Sequence, residues 1–65
     1  MTTIFEALQN AKHNLQGSYY LQVEIGKEQL HNAVTLLEKG YGVNDEIDPL
    51  LAKYGTVEDV PEKGK

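Results

Sequence analysis

YLQVEIGKEQLHNAVTLLEK, residues 20–39, decides how this chain folds. Wound as a helix at about 100° per residue, it carries two apolar faces instead of one. Val23, Gly26, Leu30, Ala33, Val34 and Leu37 form one stripe. Leu21, Ile25, Asn32 and Leu36 form another, roughly 140° around the axis. Gln22 and Gln29 lie between the two, and Glu24, Lys27, Glu28, His31, Thr35 and Glu38 fill the polar wedge. A first helix can cover one apolar face. Little of a short chain is left for the second, so self-association or a bound partner is expected.

The start of the stretch has a rival reading. Tyr19, Leu21, Val23 and Ile25 alternate with Tyr20, Gln22 and Glu24, a period-2 pattern that fits a strand ending at Gly26. The helix reading is preferred for two reasons. A lone strand would leave its backbone groups unpaired, and a helix continues the downstream stripe without a phase break. Gly26 then costs about 1 kcal/mol of helix propensity relative to alanine. Another backbone packed closely over it would compensate.

Upstream, residues 3–16 read as an amphipathic helix with Ile4, Ala7, Leu8, Ala11 and Leu15 on one face. Thr3-Ile4-Phe5-Glu6 matches a capping box. Gly17 stops this helix and Ser18 is placed to cap the next. Phe5 lies off the main stripe, at the end of the core or on a partner surface. Downstream, Gly40 closes the long helix. Asn44-Asp45-Glu46-Ile47 reads as a turn or a helical start. Asp48-Pro49 signals a short third helix that brings Leu50, Leu51 and Tyr54 back onto the hairpin before Gly55. TVEDVPEKGK, residues 56–65, shows no packing face and reads as a flexible tail after a helical domain over 1–55. The expected fold class is all-α: a two-helix antiparallel hairpin plus a short third helix, packed as a homo-oligomeric bundle.

Size supports that expectation. Chains of roughly 60 residues bury only about 60% of their unfolded surface, so their monomers are marginal without disulfides, metal or oligomerisation. This chain has 65 residues and no cysteine. Its net charge is −4, from ten acidic residues and six lysines, with no arginine. An acidic chain lacks the basic stripe of a duplex-binding protein. Without arginine, bidentate capture of phosphate is unavailable, and an anion site must use lysine, backbone N–H groups or a helix N-terminus. The first residues show no basic, apolar leader and no stretch is long enough to span a bilayer, so a cytoplasmic protein away from membranes is expected.

No catalytic or metal constellation stands out. His13 and His31 have no second histidine or carboxylate at zinc-like spacing and read as solvated helix-face residues. Asp45, Glu46 and Asp48 lack the spacing, glycine and closing glutamate of a calcium loop. No nucleophile, base and orienting acid assemble into a triad pattern. The expectation is a non-enzyme without metal or cofactor. The tyrosines offer more. Tyr19 and Tyr20 sit at the hairpin turn, where an aromatic ring either packs a core end or stacks on a ligand. Asn32, inside an apolar stripe, either sets the register of a helix interface or reads a ligand edge.

Ile25-Gly26-Lys27-Glu28-Gln29-Leu30-His31-Asn32-Ala33 fits the form I-x-K-x-x-L-x-(Q/N)-A. Together with the short chain and amphipathic first helix, it resembles the phage nucleotide-sponge family, which counters CBASS and Thoeris defence by sequestering cyclic nucleotide signals. The resemblance covers roughly a third of the chain. It implies a helical-hairpin homo-oligomer in the host cytoplasm with ligand pockets between subunits. Lys27 and its polar neighbours are the ligand contacts it implies. The absence of arginine departs from the pattern and weakens the anion site. The candidate ligand-binding residues are therefore Tyr19 or Tyr20 to stack on a base, Lys27 and His31 to face phosphate, and Asn32 to read an edge. Two other functions fit the same residues. One is an acidic inhibitor or regulator of a host enzyme, with Glu28, Glu38, Asp45, Glu46 and Asp48 supplying the field. The other is a structural helical oligomer with no ligand.

Overall fold

The computed structural model describes residues 2–48 and 57–63. Two helices dominate it: α1 over Ile4–Leu15 and α2 over Tyr20–Glu38. Helix α1 starts as its sequence dictates. The Glu6 N–H donates to Thr3 Oγ1 at 3.2 Å, and the Thr3 N–H donates to Glu6 Oε1 at 3.3 Å, closing the capping box. Two further first-turn amides, which have no partner within a helix, donate to a later loop: Ile4 N–H to the Asp45 carbonyl at 3.2 Å and Phe5 N–H to the Val43 carbonyl at 2.8 Å. Just before the helix, Thr2–Thr3 (β1) pairs antiparallel with Glu46–Ile47 (β2), Thr2 opposite Ile47. The sequence reading contains no strand at either place.

Residues 20–25 are helical, as preferred over the strand. Ser18 is not the cap, however. The first α2 hydrogen bond runs from Val23 N–H to the Tyr19 carbonyl at 3.0 Å, so Tyr19 is the N-cap and Ser18 lies one residue too early. Helix α2 ends in a Schellman motif. Tyr41 N–H donates to the Leu36 carbonyl at 3.1 Å and Gly40 N–H to the Leu37 carbonyl at 3.0 Å. Gly40 takes φ +98°, a backbone shape that side-chain-bearing residues rarely adopt.

The helices pack antiparallel, with the N-terminal half of α1 against the C-terminal half of α2. Ile4 and Ala7 share a core with Ala33 and Leu36, which Ile47 and Val57 complete. The buried residues of α2 are Gly26, Gln29, Asn32, Ala33 and Leu36, and the line from Gly26 through Gln29 and Ala33 to Leu36 follows the seam with α1. That line runs between the two apolar stripes, along the Gln22–Gln29 border. The large outer members of both stripes stay out of the core, although Asn32 is buried. Leu30 and Val34 on one side, and Leu21 and Ile25 on the other, remain exposed. The cause lies on α1, which presents Ala7, Ala11 and Asn14 to the seam. Small residues let the backbones approach, and an amide needs an amide opposite it.

Nearer the turn, the seam shows both effects. A Cβ placed on Gly26 would stand 2.9 Å from the Leu15 backbone nitrogen and 3.0 Å from Asn14 Cβ. This is the close packing that the glycine's propensity cost requires. Asn14 Nδ2 donates to Gln29 Oε1 at 2.6 Å, and Gln22 Nε2 donates to Asn14 Oδ1 at 3.4 Å.

The expected third helix, with Leu50, Leu51 and Tyr54, lies outside the described residues. The tail expectation for 56–65 gives way at 57–63, which does carry a packing face. Val57–Asp59 forms one turn of 3-10 helix and Val57 is fully buried. Part of the second apolar face is thus covered from within the chain: Leu36 and Val57 share one core.

Candidate functional site

Tyr20, Lys27 and His31 follow one another at seven and four residues along α2. At about 100° per residue they share one solvent-facing side, spread over roughly 16 Å of axis. Tyr19 and Tyr20 are both well exposed at the N-terminal end. Lys27 Nζ lies 3.4 Å from Glu24 Oε1 in an exposed i, i+3 pair. His31 Nε2 lies 3.0 Å from Glu58 Oε1, so the histidine expected to be merely solvated holds residue 58 against α2. Asn32 is apart from these. It lies about 100° around the axis from His31 and is 1% exposed, so it presents no amide edge to solvent. It has its own interaction partner, and among the described residues no buried side-chain nitrogen or oxygen lacks a hydrogen bond. The structure therefore brings four of the five candidate residues to the surface, three of them on one helical side, and takes Asn32 inside the subunit.

The electrostatics of this side are negative. The hydrogen bond to Glu58 holds the His31 imidazole above its ordinary value of 6.5; desolvation opposes it, and the charges of Glu58, Glu28 and Glu38 push upward as well. Glu58 is held below its ordinary carboxylate value, chiefly by the bond to His31. A phosphate approaching Lys27 and His31 would meet Glu24 and Glu58 already in place. A cationic or basic group would meet a favourable field.

Beside this side, residues 57–63 cross the end of α2 on polar tethers. Lys39 Nζ donates to the Glu58 carbonyl at 2.9 Å and also to the Val60 carbonyl. The Lys63 N–H donates to the Lys39 carbonyl at 2.8 Å, and Tyr41 Oη donates to the Pro61 carbonyl at 3.3 Å. Lys63 Nζ pairs with Asp45 Oδ2 at 2.7 Å and stands 5.4 Å from the Tyr41 ring centre. The same Asp45 oxygen accepts from Gly42 N–H at 2.7 Å. These two bonds hold the Asp45 carboxyl below its ordinary range, the bond to Lys63 foremost.

Sequence reasoning missed Asn14, Glu58 and Lys39 as organising residues. A helical wheel offers a signal for Asn14, which falls on the buried side of α1 about 80° from Ile4. No local pattern marks Glu58 or Lys39, because their contacts join segments some twenty residues apart. Among the described residues no group of three or more His, Asp or Glu is arranged to hold a metal ion, and no helix is long and apolar enough to cross a membrane. No family model, no curated protein and no solved structure matches this chain.

Proposed function

We propose that this protein is a small non-enzymatic binding protein that works as a homo-oligomer of helical hairpins. The observation that carries this reading is the exposure of Leu21, Ile25, Leu30 and Val34 on a helix whose hairpin seam lies between them. Four large apolar residues left exposed beside the seam of a 65-residue chain support that reading. The ligand class we put forward is a cyclic nucleotide signal, sequestered without turnover as in the phage anti-defence sponges that the α2 pattern resembles. Tyr19 or Tyr20 supplies a stacking platform, and Lys27 and His31 are the cations on the same side of α2, which a phosphate would have to draw away from Glu24 and Glu58. Asn32 does not take part, being enclosed in its own subunit.

Two measurements test this. Sedimentation at micromolar concentration is expected to give an oligomer, and a monomer there refutes the association. A thermal-shift screen with cyclic dinucleotides and cyclic ADP-ribose isomers tests the ligand class. A ligand at 100 times its Kd is expected to add about 2.7 kcal/mol of stability. No shift with any of them removes the nucleotide while leaving the oligomer standing.

One observation favours a second reading, an acidic inhibitor of a host enzyme. Lys27, His31, Lys39 and Lys63 are each engaged by a carboxylate or carbonyl, while Glu28, Glu38 and Glu46 stand exposed. Such a surface suits a basic partner. This reading predicts capture of a basic host enzyme, lost on adding salt and in a Glu28→Lys, Glu38→Lys variant.

A further inference from the structure

The two exposed flanks of α2 are not equivalent. Leu30 and Val34 lie about 40° and 80° around the axis from Gly26, and on α1 Leu8 and Phe5 lie about 40° and 100° from Ile4. In an antiparallel pair these rotations lead to the same side of the hairpin. It is the side opposite the Asn14–Gln29 bond. Phe5 is 50% exposed, Leu30 40% and Val34 42%, and Leu8 is half-buried beside them. An apolar patch therefore crosses both helices at the end of the hairpin far from the turn. A stable interface needs about 800 Å² from each partner, so the apolar patch is its centre and the polar rim around it, with Lys12, Lys27 and Glu38, supplies the rest.

The charges around this face are complementary to themselves. Lys27 precedes Leu30 by three residues and Glu38 follows Val34 by four, both on the outer rim. Turn a second copy so that its α2 runs antiparallel with Leu30 opposite Val34. Lys27 then comes within about one residue rise, ~1.5 Å along the axis, of the level of the second copy's Glu38, and on the same rim. This arrangement sets a two-fold axis at the level of residue 32 on α2. On α1, Phe5 and Lys12 point outward from the same face and are symmetric about the level of Leu8 and Gln9. The Gly26–Leu15 contact places residue 32 beside residue 9 and so brings those two levels within about one residue rise, ~1.5 Å, of each other. A single axis thus satisfies both helices: Lys27 meets Glu38, and Phe5 meets the aliphatic stem and ammonium of Lys12.

We infer that the Phe5, Leu8, Leu30 and Val34 face docks a second copy of this chain about that two-fold axis, forming an isologous four-helix layer pair. This rests on the homo-oligomer proposed above and adds the face, the symmetry and the register. The test uses the full chain and the dimer Kd from sedimentation, with helicity by circular dichroism as the check on folding. Val34→Asp, at an exposed site, is expected to raise the Kd by about tenfold or more with helicity kept. Lys27→Glu and Glu38→Lys are each expected to raise it roughly three- to tenfold, and the double reversal to restore it. An oligomer untouched by Val34→Asp overturns the face. Single reversals without effect, or a double reversal no tighter than either single one, overturn the register. Both results leave the association itself intact, whereas a monomeric wild type removes that reading and this inference together.

Discussion

Gly26 shows how a single position ties α2 to α1. As a helix-interior glycine it costs about 1 kcal/mol of propensity, and alanine would recover that. The added Cβ would sit 2.9 Å from the Leu15 backbone nitrogen, which cannot swing aside. Overpacking of this kind costs roughly 1–3 kcal/mol. Gly26→Ala is therefore expected to destabilise the protein by about 1 kcal/mol net, read as a lower urea midpoint. Asn14 is the second such position. Its amide satisfies Gln29, which is 7% exposed. Asn14→Ala leaves the Gln29 oxygen buried without its donor, and a loss of roughly 1–3 kcal/mol is expected by the same measurement. An unchanged midpoint would show that water replaces the lost amide.

At the scale of elements, the contact between residues 57–63 and the end of α2 depends on protonation. Glu58, held below its ordinary 4.5, contributes stability that is fully present above that value and is lost as pH falls through its lowered one. His31, held above its ordinary 6.5, contributes stability fully present below 6.5 and lost as pH rises through its raised value. The His31–Glu58 pair is therefore fully charged between pH 4.5 and 6.5 and weakens on both sides, while the bonds of Lys39 and Tyr41 to 57–63 remain. The difference in Tm between wild type and His31→Ala is expected to be largest in that window and to shrink as pH rises through the raised His31 value. A difference that does not change with pH would show that no proton is linked to this contact. Both groups are exposed, so the effect is modest and falls with added salt.

For the whole molecule, the decisive feature is a core divided lengthwise. The end far from the turn is apolar, with Ile4, Leu36, Ile47 and Val57 meeting from four segments. The turn end is held by amides and a glycine. Val57 comes from a polar stretch that shows no periodic apolar face, yet it is fully buried. Val57→Ala is expected to cost about 2 kcal/mol, a loss that combines transfer and cavity terms. The corresponding change at exposed Val43 is expected to cost less than about 0.5 kcal/mol. Equal effects at the two sites would mean that residue 57 is not part of the cooperative core.

What the residues determined alone was local. Thr3 and Glu6 make a capping box, Gly40 ends α2, and the 3.6-residue period makes 20–38 a helix, because each of these depends on neighbours within one or two turns. The hairpin's antiparallel sense followed from a short turn. Which side of α2 faces α1 did not follow, since both apolar stripes are hydrophobic enough to pack. That choice came from the small residues and Asn14 on α1, which draw Gly26 and Gln29 into the seam. The docking of Val57 and the His31–Glu58 and Lys39–Glu58 contacts were equally invisible. They join positions more than fifteen residues apart, and only the closed chain brings those positions within hydrogen-bonding distance.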